Sequence, residues 1–130
     1  MGNPMESDLI RLRALEPEDV KILYRWENDT ETWKVSNTIA PFSKHVLRKF
    51  IAEQQRDIYE TRQLRLIIES GAGGKPVGGI DLFDLDPYNC RAGVGILIYD
   101  KNDQGQGYAS HAVSLLIRYC FQVLTLNQLY

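Results

Sequence analysis

"DQGQGYASHA", residues 103–112, sets two glycines one residue apart between an apolar, strand-like run and a strongly periodic helix. Glycine weakens regular structure, so a pair of them at this junction points to a backbone that something must approach closely. The run before it ends at Tyr99. After it, Ala109, Ala112, Val113, Leu116, Ile117, Cys120, Phe121 and Leu124 recur at steps of three and four, with Ser110, Ser114, Arg118 and Gln122 on the far side, which predicts a core-facing amphipathic helix. A turn that offers successive amides beside the positive end of such a helix suits the oxygens of a phosphate. A flexible connection is the plain alternative, and the neighbouring elements must decide.

Working outward, "RAGVGILIY" and "VGGIDLFDLD" are two strands joined through "PYN", an antiparallel hairpin, and "QLRLIIES" before the turn "GAGGKP" is a third. Earlier, Ser43 caps a helix with Val46, Leu47, Phe50, Ile51, Ile58 and Tyr59 inward, and residues 29–42 read as a loop carrying Trp33 and Phe42. "LIRLRAL", residues 9–15, alternates with period two as a half-buried strand does. Pro17, with Glu16, Glu18 and Asp19 at the positive dipole end, then opens a helix that stops near Asn28. "LNQLY" at the end begins one more strand. The order is β, α, α, β, β, β, α and a partial β.

Composition narrows the function. With 130 residues, 44% hydrophobic and 25% charged, the chain is one domain with a real core. A net charge of −2 gives no basic footprint for nucleic acid, no apolar run is long enough to cross a bilayer, and no secretion signal opens the chain. The cytoplasm is the default. Cys90 and Cys120 are far apart and read as plain thiols, with no metal spacing around them. His45 and His111 have no triad partner at readable spacing and read as structural or surface residues. "MGNP" has Glu6 where a myristoylation signal wants Ser or Thr, so residues 1–8 read as a disordered or vector-derived start.

Two familiar phosphate motifs fail on spacing. No Gly-Lys-Ser/Thr exists for a P-loop, since "GGKP" has proline where the hydroxyl belongs. A dinucleotide fingerprint needs glycine at position 110, which is Ser110, and three consecutive strands before the helix do not match its alternating chain.

"QGQGYA", Gln104 to Ala109, instead resembles the Q/R-x-x-G-x-G/A pyrophosphate motif of the GNAT superfamily of acyl-CoA-dependent N-acetyltransferases, and lies between the fourth strand and third helix as it does there. "IRLRALEPEDV", "VGGIDLFDLD" and "RAGVGILI" are similar to the ribosomal-protein and spermidine N-acetyltransferase branch, so the resemblance runs from Leu9 onward. It implies an α+β fold, a mixed and mostly antiparallel sheet flanked by helices, and a domain over residues 9–130 that lacks the family's final helix and strands. It implies that Gln104, Gly105, Gln106, Gly107, Tyr108 and Ala109 wrap the pyrophosphate of acetyl-CoA, while Ile96, Leu97 and Ile98 pair with the pantetheine arm as a surrogate strand. Gly93 and Gly95 mark a close approach or a bulge where the family's strand splays. Tyr130 precedes the register of the family's usual tyrosine acid.

The implied reaction is acetyl transfer to a primary amine, a protein amino terminus, a polyamine or another small amine, by direct attack in a ternary complex. Such an amine is protonated at neutral pH, and freeing it costs roughly 4.6 kcal/mol. Carboxylates near the acetyl group are the candidate bases. Asp81 and Asp84 flank the presumed cofactor strand, but three residues apart in a regular strand they face opposite ways unless a bulge intervenes. Glu27, Asp29 and Glu31, at the helix end and in the following loop, are placed to draw in a cationic substrate, with an exposed acidic loop as the plain alternative. The rival reading is a catalytically silent module that binds CoA or a protein. An open sheet edge is expected to begin at Leu126, with Phe121 and Leu124 nearby, so that either the chain is a piece of a longer enzyme or a partner copy covers that edge.

Overall fold

The computed structural model describes residues 5–32, 40–71 and 73–126, and the backbone of 128–129. Strand β1 (Ile10–Ala14) leads through a 3-10 turn at Pro17–Asp19 into helix α1 (Val20–Glu27). Helix α2 is Lys44–Glu53, followed by a single helical turn at Ile58–Thr61. Strands β2 (Leu64–Ser70), β3 (Pro76–Asp86) and β4 (Arg91–Ile98) precede helix α3 (Tyr108–Gln122), and β5 (Gln128–Leu129) closes the described chain.

The sheet order is β1-β2-β3-β4-β5, antiparallel throughout except that β5 runs parallel to β4. Its contact with β4 is confined to Arg91 and Ala92, so among the described residues the outer edge of β4 from Val94 to Ile98 faces no strand. This is the mixed, mostly antiparallel α+β arrangement expected.

Alternation along the strands separates two cores. Leu12, Leu66, Ile68, Ile80, Leu82 and Ile98 face α3, where Ala112, Leu115, Leu116 and Cys120 meet them. Ile67 faces α1 and α2, joining Leu15, Leu23, Trp26, Leu47 and Ile51. Each large side chain so buried contributes about 1.5–3 kcal/mol. The two faces therefore carry different helices and leave different surroundings for β4.

Arg13 fastens the entry of α1 to the sheet, reaching Asp19 at 2.8 and 2.9 Å and Glu69 at 2.6 Å. Burial is the largest single influence and works against the charge of both carboxylates, yet the hydrogen bonds and charge of Arg13, joined by the Glu16 amide at Asp19 and by Arg11 at Glu69, together hold both groups below their ordinary range.

Three local expectations shift. The second helix ends at Glu53 because Asp57 caps a fresh turn, accepting from the Tyr59 amide at 2.8 Å; Val46 and Tyr59 stay exposed. Helix α3 buries Leu115, while Ile117 and Phe121 remain exposed, because its apolar arc is wider than the stripe one sheet face can cover. Leu124 and Leu126 are buried in that same core and are not part of an exposed edge. Residues 1–4 of the expected loose start, and Trp33 and Tyr130, lie outside the described residues.

Candidate active site

The glycine turn is built from backbone. Asp100 caps a 3-10 turn at Lys101–Asp103, and the chain then passes through Gly105 at φ 79° and Gly107 at φ 84° into α3. Both values lie in the left-handed region that side chains avoid. Gln104, Gly105, Gln106 and Gly107 are exposed, and Tyr108 and Ala109 form the half-buried first residues of α3. A Cβ at Gly105 would meet nothing within 4 Å, so the space in front of the turn is open. No side chain caps the start of α3, whose first amides have no intrahelical acceptor.

The Gln104 side chain reaches back to β4, its Nε2 donating to the Ile98 carbonyl at 3.0 Å. That bond ties the turn to the strand. Ile96 and Leu97 are half-buried beside it, and Ile98 is buried. Underneath, the Lys75 ammonium lies 3.2 Å from the carboxylate of buried Asp103.

The α1/α2 face of β4 carries a polar group that only the fold assembles. Arg65 on β2 donates through Nε and Nη2 to the two oxygens of Asp81, the Nη2 contact being 2.8 Å, and through Nη1 to Glu27 at 3.1 Å. The Tyr99 hydroxyl donates to the same Glu27 oxygen at 3.1 Å, and its ring stacks on Trp26 with centroids 4.4 Å apart. The Arg65 guanidinium also lies 5.1 Å over the Phe50 ring. Burial opposes the Arg65 charge, but Asp81, Tyr99 and Glu27 together raise its pKa further above the ordinary value. Burial, then the Glu27 charge, lifts the Tyr99 phenol well above the ordinary tyrosine range, so it stays a donor.

A bulge does intervene on β3. Pairing with β4 slips between Phe83 and Asp86, with Asp84 at φ 50° and exposed. Asp81 lies opposite Gly95 and is half-buried. A Cβ at Gly93 would collide with the Phe83 ring, so the close approach marked by that glycine is made by an aromatic side chain of this chain.

Glu27, at the end of α1, is thus partnered by Arg65 and Tyr99, and with Asp81 these residues form a polar floor on the α1/α2 face of the sheet. Asp29 and Glu31 instead line an open cleft of about 370 Å³ with Arg25, Trp26, Tyr99, Asp100, Lys101 and Asn102. Sequence reading missed Arg65 and Tyr99. The available signal was a cation alternating with apolar residues in "QLRLIIES", on the same strand face as Ile67.

Residues 10–130 match the family described as the acetyltransferase (GNAT) domain. The chain belongs to the GNAT acetyltransferases. It is 31% identical over 126 residues to the uncharacterized N-acetyltransferase p20 of Bacillus licheniformis, covering 95% of this chain and 68% of that one. A solved probable acetyltransferase is 28% identical with a TM-score of 0.80, covering 95% of this chain and 69% of that one. The spermidine N-acetyltransferase of Vibrio cholerae, solved in complex with CoA and spermine, superposes with a TM-score of 0.81 at 21% identity, over 95% of this chain and 70% of that one.

GNAT enzymes use acetyl-CoA, and this turn fits its diphosphate: left-handed glycines, space where a Cβ would project, and uncapped amides converge at the start of α3. Among the described residues no group of three or more metal-ligating side chains comes together, and no helix is long and apolar enough to cross a membrane.

Proposed function

We propose that this acetyltransferase transfers the acetyl group of acetyl-CoA to a primary amine in the cytoplasm, by direct attack while both substrates are bound. The observation that carries the reading is the pair of left-handed glycines at the uncapped start of α3, beside the outer edge of β4 from Val94 to Ile98, which faces no strand among the described residues. When bound, acetyl-CoA supplies an acyl carbon activated by its thioester.

The chain's own residues supply the rest. Amides from Gln104 to Ala109 hold the diphosphate oxygens, and Ile96, Leu97 and Ile98 offer their strand edge to the pantetheine arm. The cleft beside Trp26 and Tyr99, where the carboxylates of Asp29, Glu31 and Asp100 outnumber the cations of Arg25 and Lys101, admits a cationic acceptor. As the carbon–nitrogen bond forms and the carbon–sulfur bond breaks, the amine gives up a proton and the thiolate takes one. Asp81, across from Gly95, is the nearer carboxylate in register to the pantetheine edge, and Asp84 beyond the bulge is the second candidate base. Arg65 occupies both Asp81 oxygens, so accepting a proton requires loosening one of those bonds. A second copy of the chain covering the sheet at its β5 end, away from the Ile96–Ile98 edge, belongs to the same reading.

Calorimetry with CoA, followed by thiol release from acetyl-CoA across polyamines, lysine peptides and peptides with free amino termini, tests the proposal. Saturable binding with amine-dependent thiol release is the expected result. Binding without release from any amine points to the silent module, and no heat with CoA removes the reading. Light scattering that shows a monomer at every concentration removes the partner copy.

A further inference from the structure

Residues 5–9 are built against the glycine turn. The segment is fixed to β1 by the Ser7 amide on the Ile10 carbonyl at 2.9 Å and the Leu12 amide on the Met5 carbonyl at 2.8 Å. The Leu9 carbonyl accepts from Gly71 in the β2–β3 turn at 2.7 Å. From this anchored position, two side chains reach the start of α3.

Ser7 Oγ accepts the amides of Leu9 and Ile10, each at 3.2 Å, and lies 2.9 Å from His111 Nδ1. A hydroxyl has two acceptor positions and one hydrogen. With both positions filled, the hydrogen goes to Nδ1, which puts the imidazole hydrogen on Nε2. His111 in turn donates its amide to the Gly107 carbonyl at 3.1 Å. Leu9 Cδ2 also approaches Gly107, 3.5 Å from where a Cβ would stand. Both contacts therefore converge on the one residue whose left-handed conformation opens the helix.

We infer that Ser7, acting through His111, and Leu9 are positioning residues that hold the glycine turn in its ligand-ready shape. The inference rests on the reading that this turn holds the coenzyme's diphosphate. A turn with two glycines has many conformations to lose, and a brace made during folding removes that loss from the binding step. The brace sets cofactor affinity and leaves the chemical step alone.

The test uses the full chain, with CoA as the calorimetric ligand and nitrogen-15 spectra of the imidazoles. Ser7→Ala and His111→Leu are expected to weaken CoA about 5- to 10-fold, the usual reach of one hydrogen bond, with kcat at saturating acetyl-CoA unchanged. His111→Asn, whose Oδ1 stands where Nδ1 was, is expected to bind within about twofold of the parent. The His111 spectrum should show the hydrogen on Nε2 in the parent and lose that signature in Ser7→Ala. Melting curves identify any variant that fails to fold, and the histidine pair answers the question without Ser7→Ala. Parent-like CoA binding in His111→Leu overturns the inference alone, whereas a parent that binds no CoA overturns the functional reading and the inference with it.

Discussion

From Gln104 to Gly107 every residue is exposed and, apart from the Gln104 side chain's bond to the Ile98 carbonyl, the shape is carried by the main chain, through two left-handed glycines. At Glu27, Arg65, Asp81 and Tyr99 the opposite holds: four elements or their ends each send one side chain into a largely buried group whose bonds are mutual. The turn keeps its hydrogen-bonding capacity for a ligand. The floor spends its capacity internally and offers shape and fixed charge. Backbone recognition tolerates change in side chains but no change in φ, whereas the floor tolerates little loss of any one partner.

Breaking the floor should have the largest effect. Arg65→Ala leaves Asp81 and Glu27 without their shared cation and is expected to cost about 3 kcal/mol in urea unfolding. Unfolding unchanged within error would show that the group is too well solvated to matter. Next comes the turn: Gly107→Val forces a β-branched residue to φ 84°, and CoA affinity by calorimetry should fall roughly 30-fold while urea stability changes less than in Arg65→Ala. If stability falls as far as affinity, the turn is as structural as the floor and the contrast fails.

The two carboxylates sharpen the comparison further. Asp81→Asn is expected to lower kcat/KM about 10-fold or more, as loss of a general base does, with Asp84→Asn changing it by less. Equal effects, or the reverse order in steady-state kinetics, would move the base to the bulge. Tyr99→Phe removes one hydroxyl and keeps the stack on Trp26; about 1 kcal/mol of stability and no change in CoA affinity are expected.

The uneven legibility of the chain has a physical cause. The helix and strand order, the hairpin through Pro87–Asn89, Ser43 as a cap and the glycine turn all depend on neighbours in sequence, and each was readable. Arg65 and Tyr99 depend on which residues the sheet register sets side by side, which one sequence does not display. The Asp81–Asp84 question turned on a bulge, whose sign is a left-handed φ at a residue that need not be glycine. Helix α3 misled at its edges because periodicity gives the direction of the apolar arc and not the width its partner covers. Residues 5–8 showed no periodic pattern at all, yet Ser7 satisfies three partners.

The Phe83 ring occupies the volume that a methyl at position 93 would need. An alanine at position 93 therefore requires the ring to swing off the sheet or a smaller residue to replace it, so drift at one of these sites changes what the other tolerates. Homologues of this chain should show the two positions covarying, bulky opposite bare or small opposite small.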